Sequence, residues 1–291
     1  MSHVVIIGNG ISGVTAARHI RKKSDKEITI ISGETAHFFS RTALMYLFMG
    51  HMKYDNIKPY EDSFWKKNRI NLKQAWVEKI ETDAQKLQLS GGETMAYDEL
   101  IIATGSKPNK FGWEGQDLKG VQGLYSYQDL ELLEENVKRT QKAVIVGGGL
   151  IGVELAEMLH TRGIEVTFLV REDRFWGGVL PKEEGELIAK HITKNGINLV
   201  FNTELDSIHG NEKGEVIGIT TKDGQQIDCQ LVGLTAGVSP NIAVVASSNI
   251  PTKRGVLVDH YLKTAISNIY AIGDCAEFHQ HPTDRKNIEQ V

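Results

Sequence analysis

Two stretches of this sequence place glycines at the spacing that lets a main chain wrap a phosphate. Gly8, Gly10 and Gly13 stand in Gly8-Asn9-Gly10-Ile11-Ser12-Gly13, and Gly147, Gly149 and Gly152 in Gly147-Gly148-Gly149-Leu150-Ile151-Gly152. In such a turn the first glycine permits the sharp bend and the second lets a pyrophosphate approach the backbone. The third lets the following helix pack on the strand, so that N–H groups and the helix dipole face the anion. With 29 glycines in 291 residues the bare pattern arises by chance about 0.3 times, so its surroundings must decide.

The surroundings supply the elements that such a turn needs. Val4-Val5-Ile6-Ile7 is a β-branched run suited to a buried parallel strand, and Ala16, Ala17 and Ile20 recur at helical spacing behind the glycines. A second run, Ile28-Thr29-Ile30-Ile31, leads to Glu34, 21 residues after Gly13, where a carboxylate accepts hydrogen bonds from ribose hydroxyls. The later motif repeats the plan: Ala143-Val144-Ile145-Val146 precedes it, and Val166-Thr167-Phe168-Leu169-Val170 supplies the second strand. A chain with two such units is built for two dinucleotides, one an electron donor and one a prosthetic acceptor. The expectation is FAD in the first and a nicotinamide dinucleotide in the second.

Composition excludes other classes. The length suits two domains, and 41% hydrophobic with 24% charged residues is the balance of a globular chain. A net charge of -4 and a pI near 6.2 give no bulk attraction to nucleic acid or anionic lipid. The apolar N-terminus lacks a basic leader and is broken by Asn9, Ser12 and Thr15, and no run approaches a membrane span. No membrane association and a cytoplasmic location are therefore expected. The two cysteines, Cys229 and Cys275, are separated by 45 residues, which offers neither a CxxC pair nor a disulfide framework.

Three further segments carry a resemblance: Leu100-Ile101-Ile102-Ala103-Thr104-Gly105-Ser106-Lys107-Pro108, Ala236-Gly237-Val238-Ser239-Pro240-Asn241, and Thr264 followed by Ile269-Tyr270-Ala271-Ile272-Gly273-Asp274. With the glycine motifs, they make the chain similar over essentially its whole length to the pyridine nucleotide-disulfide oxidoreductase family of flavoproteins. That resemblance implies an α/β fold of two Rossmann-like dinucleotide-binding domains, the NAD(P) domain (113–241) inserted into an FAD domain formed by 1–112 and 242–291. It also implies FAD contacts from Gly8, Asn9, Gly10, Gly13, Glu34, Arg41, Val77, Ala103, Thr104, Gly105 and Asp274. Asp274 would meet a ribitol hydroxyl, and the Val77 main chain the adenine. NAD(P) contacts would come from Gly147, Gly149, Leu150, Ile151, Gly152, Glu154, Arg171 and Gly237. No side chain is singled out as catalytic. His279 and His281 lack companions at ligand spacing, so no metal is expected.

The family divides by what lies opposite the nicotinamide on the flavin. The first FAD helix region has no cysteine, and Thr42 stands where single-cysteine oxidases and coenzyme A disulfide reductases carry theirs. Ser40-Arg41-x-x-Leu44 instead resembles a segment of ferredoxin and rubredoxin reductases and of the flavin part of nitrite reductases, although Tyr46 replaces the lysine of ferredoxin-type members. The expected function is an FAD-dependent NAD(P)H oxidoreductase delivering electrons to a small carrier protein or small acceptor. An oxidase or coenzyme A disulfide reductase, and a redox-responsive flavin-binding protein, stay open as alternatives.

At the end of the second strand of the later unit, Val170 stands where NAD-selective members carry Glu, and Arg171 follows. The pair favours NADPH over NADH. Residues 130–137 are expected as a helix, and 215–221 with 225–231 as a hairpin. The last residues, 287–291, read as the start of a helix without a stop signal. The natural polypeptide is therefore expected to continue, which leaves a homodimer open for the full-length protein.

Overall fold

The computed structural model describes residues 2–279; His281 and residues 287–291 lie outside the described residues. The chain forms two compact units: Met1–Ser40 and Tyr54–Lys107 with the chain from Ser239 onward, and Arg41–Lys53 with Pro108–Val238. The crossings fall at 107/108 and 238/239, where the sequence suggested 112/113 and 241/242. The segment Arg41–Lys53 groups with the second unit, a feature that the sequence did not announce.

In the first unit β1 (His3–Ile7) runs through the glycine turn into α1 (Ile11–Lys23) and returns as β2 (Glu27–Ser32), parallel to β1. β3 (Asn71–Gln74) adds outside β2, while Glu99–Ile102 and then Ile269–Ala271 add on the other side of β1. The result is a five-stranded parallel sheet with β1 at its centre. Successive side chains of a strand point to opposite faces. Val4 and Ile6 accordingly join a core with Val14 and Ala17 of α1 and Trp65, and Val5 and Ile7 join one with Leu87, Leu89 and Tyr97. Both faces are covered, which is why the run is apolar throughout instead of alternating.

The second unit repeats the plan with Lys142–Val146, the helix Leu150–Thr161 and the parallel strand Glu165–Leu169. Asn198–Val200 lies outside, and Leu231–Leu234 and Val121–Gln122 lie on the other side, again placing the glycine-motif strand third of five. Leu231 corrects the expected hairpin. The second hairpin strand ends at Asp228, and Leu231–Leu234, buried at all four residues, belongs to the parallel sheet. The expected helix begins earlier, at Tyr127 (Tyr127–Asn136), because Ser126 and Asp129 close a reciprocal cap there.

The two turns match bond for bond. Gly8 N–H donates to the Ile31 carbonyl (2.8 Å) and Ala103 N–H to that of Ile7 (2.8 Å). Gly147 N–H donates to Leu169 (3.1 Å) and Thr235 N–H to Val146 (2.9 Å). Gly8 and Gly147 hold φ of +112° and +120°, and a Cβ on either would lie 2.1 or 2.7 Å from the carbonyl oxygen of Ala103 or Thr235. A Cβ on Gly13 or Gly152 would lie 2.1 or 2.4 Å from the carbonyl oxygen of Gly8 or Gly147. Gly10 and Gly149 face nothing within 4 Å.

This contrast yields a stability prediction. Gly13→Ala should lower the free energy of unfolding by about 1–3 kcal/mol through overpacking, despite the better helix propensity of alanine. Gly10→Ala should change it by no more than about 0.5 kcal/mol. Urea unfolding of the two purified variants without added ligand measures both, and equal losses at the two positions would contradict the division.

Candidate functional site

In an open parallel sheet the strands expose main-chain groups and loop residues at their carboxyl ends, and ligands collect where successive connections diverge. Every position that the resemblance gives to FAD, apart from Arg41 of the second unit, lies in the first unit and follows the carboxyl end of a sheet strand. Gly8, Asn9, Gly10 and Gly13 follow β1, and Glu34 follows β2. Val77 follows β3, opening the strand Val77–Glu81. Ala103, Thr104 and Gly105 follow Glu99–Ile102, and Asp274 follows Ile269–Ala271. Residues from Gly8 to Asp274 are thus gathered along one edge.

Local bonds fix these groups. The Asn9 amide, buried, donates to the Thr35 carbonyl (2.8 Å), tying the glycine turn to the loop that carries Glu34. Ser106 Oγ donates to Asp274 Oδ2 (3.0 Å), and the Thr104 hydroxyl donates to the Asn241 carbonyl (2.6 Å). Gly273, at φ +70°, leaves room for Ser12 of α1, whose Oγ would lie 2.5 Å from a Cβ there. The Asn9 amide nitrogen is thus engaged by Thr35. Ser106, Ser12 and Thr35 are participants that their residue types did not reveal, because only the fold brings them to this edge.

Neither glycine-loop helix has a side-chain cap or an acidic residue in its first turn. The helix Tyr127–Asn136 by contrast has its full capping box. Leaving the first-turn N–H groups open and free of competing carboxylates suits an anionic ligand. The open side of Gly10 and Gly149 leaves space for a pyrophosphate, so both turns fit a dinucleotide, and the carboxylates of Glu34 and Asp274 suit the hydroxyl-bearing sugar and ribitol of FAD.

In the second unit Leu150, at the start of the helix, is 55% exposed and Ile151 half-buried. Glu154 lies one turn further along, and its carboxyl is pushed above the usual range by burial and then by the charge of Glu157. Val170, fully buried, packs under the turn: a Cβ on Gly148 would lie 2.8 Å from its Cγ1. Arg171 follows, its side chain 71% exposed, with Nη2 3.0 Å from Glu172 Oε1. Arg174 donates instead to the Gly177 carbonyl (2.8 Å) within its own loop. Thr235-Ala236-Gly237, with Gly237 at φ +82°, follows Leu231–Leu234 as Ala103-Thr104-Gly105 follows its counterpart.

Arg41, expected to face the flavin or its pyrophosphate, falls in the segment Arg41–Lys53 that groups with the second unit. Its guanidinium donates to the Tyr125 carbonyl and covers the Tyr125 ring at 4.6 Å, within the second unit. The two cysteines are both buried, the Cys229 thiol pushed up to about 12 by burial and the Cys275 thiol also raised by burial. His279 is exposed. No helix among the described residues is long and apolar enough to cross a membrane.

Comparison with known proteins bears on the family and the fold. The chain is 31% identical over 277 residues to a nitrite reductase [NAD(P)H] of Bacillus subtilis, covering 94% of this chain and 34% of that protein. It is 31% identical over 286 residues to a rubredoxin-NAD(+) reductase of Acinetobacter baylyi, covering 95% and 72%. A crystal structure of a ferredoxin reductase from Rhodopseudomonas palustris superposes with a TM-score of 0.88 at 26% identity, over 96% of this chain and 69% of that one. The chain thus spans about a third of the nitrite reductase that it matches. The family model described as pyridine nucleotide-disulphide oxidoreductase matches residues 2–291, and the chain belongs to that family.

Proposed function

We propose that this chain is an FAD-dependent NAD(P)H oxidoreductase that passes electrons from a reduced nicotinamide, through FAD, to a small external carrier. The observation that carries the reading is the pair of matching uncapped glycine turns, only the first of which is flanked by Glu34 and Asp274. FAD in the first unit would take two electrons from the nicotinamide and return them singly or in pairs to the acceptor. Main-chain N–H groups behind Gly10 would hold its pyrophosphate, Glu34 its ribose hydroxyls, and Asp274, oriented by Ser106, its ribitol. Thr42 occupies the position of the family's single cysteine, and both thiols of the chain are buried with raised pKa. A thiol with so little thiolate is a poor nucleophile, which favours an acceptor outside the chain over disulfide or sulfenate chemistry. The nitrite and rubredoxin reductases among the relatives support the same choice.

Anaerobic titration followed by an acceptor series tests this. The purified protein should hold FAD, be bleached by NAD(P)H, and reduce rubredoxin or ferredoxin faster than coenzyme A disulfide. Gly10→Val should lose FAD, whereas Gly149→Val should keep FAD and resist bleaching by NAD(P)H. Preference for the disulfide, or bound FAD in Gly10→Val at wild-type affinity, would refute the proposal.

For the coenzyme, the buried Val170 and the exposed Arg171 support NADPH. No carboxylate at position 170 meets the 2′ and 3′ hydroxyls or repels a 2′-phosphate, and a guanidinium next to it can pair with that phosphate. Glu172 pairs with Arg171 (3.0 Å) and would compete with a 2′-phosphate for it. Arg171→Ala should lower kcat/KM for NADPH relative to NADH by about 5- to 150-fold, the equivalent of about 1–3 kcal/mol for one charge-assisted contact. Equal loss with both coenzymes, or a wild type preferring NADH, would contradict the assignment.

A further inference from the structure

The connection from β2 to β3 leaves the first unit and comes back to it. Its middle, Arg41–Lys53, groups with the second unit, while Ser40 before it and Tyr54 after it belong to the first. Ser40 N–H donates to the Ile57 carbonyl (2.8 Å), so the segment departs and rejoins at one place. Within it the helix Leu44–Phe48 has five residues and no side-chain cap. A helix that short does not hold itself in water. It stands because Leu44 and Phe48 are buried and because it packs on Tyr127–Asn136 and Leu150–Thr161 of the same unit. Two arginines clasp it. Arg41 donates to the carbonyl of Tyr125 and covers its ring. At the other end the roles are exchanged. Arg162, directly after Leu150–Thr161, donates to the Phe48 carbonyl (2.6 Å), lies 4.4 Å from the centre of the Phe48 ring, and pairs with Glu134 (2.8 Å). The Phe48 carbonyl is one of the acceptors that a helix end leaves without a partner, and the guanidinium satisfies it. The side chains of Arg162 and Glu134 are 41% and 42% exposed, so water competes for this clasp.

We propose that Arg41–Lys53 is a strap that the second unit grips through Arg162 and can release while both units stay folded. Its root is pinned by the bond from Ser40 to Ile57, which the second unit does not supply. Its hold consists of one short helix and two arginine clasps, and a segment with so few buried contacts opens at a much lower free energy than the whole unit. Release bares Leu44 and Phe48 and leaves the two units joined by the crossings at 107/108 and 238/239 alone. The second unit thereby sets whether the connection from β2 to β3 is anchored or free.

Hydrogen–deuterium exchange of the whole protein, comparing the amides of the strap helix with those of Tyr127–Asn136 and Leu150–Thr161, tests this. In the wild type the strap should exchange at least about tenfold faster than the two helices beneath it. Arg162→Ala should speed the strap by a further factor of about ten, the loss expected of a charge-assisted bond, and leave both helices at wild-type rates. Arg162→Lys keeps the charge without the planar fork and should fall between. A wild-type strap that exchanges as slowly as the helices opens only with the whole unit, which overturns the proposal. So does an Arg162→Ala strap that exchanges at the wild-type rate. Equal acceleration of strap and helices in that variant marks a general loss of stability and overturns it as well.

Discussion

The approach of the glycine turn to the end of the neighbouring strand governs both units. Gly8 must come within van der Waals range of the Ala103 carbonyl and Gly147 within range of Thr235, each at a positive φ that other residues tolerate badly. That approach brings the centre of the sheet, the start of the helix and the adjoining loop to one point. It also aims the first-turn N–H groups outward, since the helix is pressed onto the turn by Gly13 or Gly152. A side chain at any of these four positions separates strand from helix before any ligand is considered. Gly10 and Gly149 are the complementary case, since an added Cβ there would meet nothing within 4 Å and no neighbouring protein atom requires a glycine.

Much of this was legible because it is local. A β-branched run, three spaced glycines and small helical residues occupy a window of about twenty residues, and each has a separate steric task. That Glu34 and Asp274 follow strands was also legible, the first from the apolar run Ile28–Ile31 and the second from the family-like segment that ends in Gly273-Asp274. The hairpin boundary was misread at Leu231 because a short buried run looks alike in a hairpin and in a parallel sheet until its neighbours are known. Arg162 on Phe48, Ser106 on Asp274 and Arg41 on Tyr125 were invisible for a deeper reason. Each pair is defined by a meeting of distant segments, and nothing in the type of either residue foretells it.

The second unit differs from the first in charge as well as in position. The first places carboxylates past two of its strands, and the second replaces the carboxylate past its second strand by a buried valine and an exposed arginine. Two copies of one architecture thus differ past the second strand, with Glu34 in one and the Arg171–Glu172 ion pair in the other. On the proposed function, such a difference would let charge discriminate at the sugar and its substituents while the shared turn served the pyrophosphate.

The edge strand Ile269–Ala271 sets the order in which the molecule can be assembled. The first unit begins at the amino terminus, yet its sheet closes only with this strand, and Ser106 meets Asp274 across 168 residues of chain. Everything the second unit needs has been synthesised by then. On the ribosome the inserted unit can reach its final form while its host is still open, with the face of Glu99–Ile102 that awaits its neighbour exposed to solvent and to other chains. Non-local closure of this kind is slow, because the loop entropy is spent before the pairing returns it. The late arrival of one short strand therefore makes the first unit, not the second, the point at which synthesis of this protein is vulnerable to misassembly.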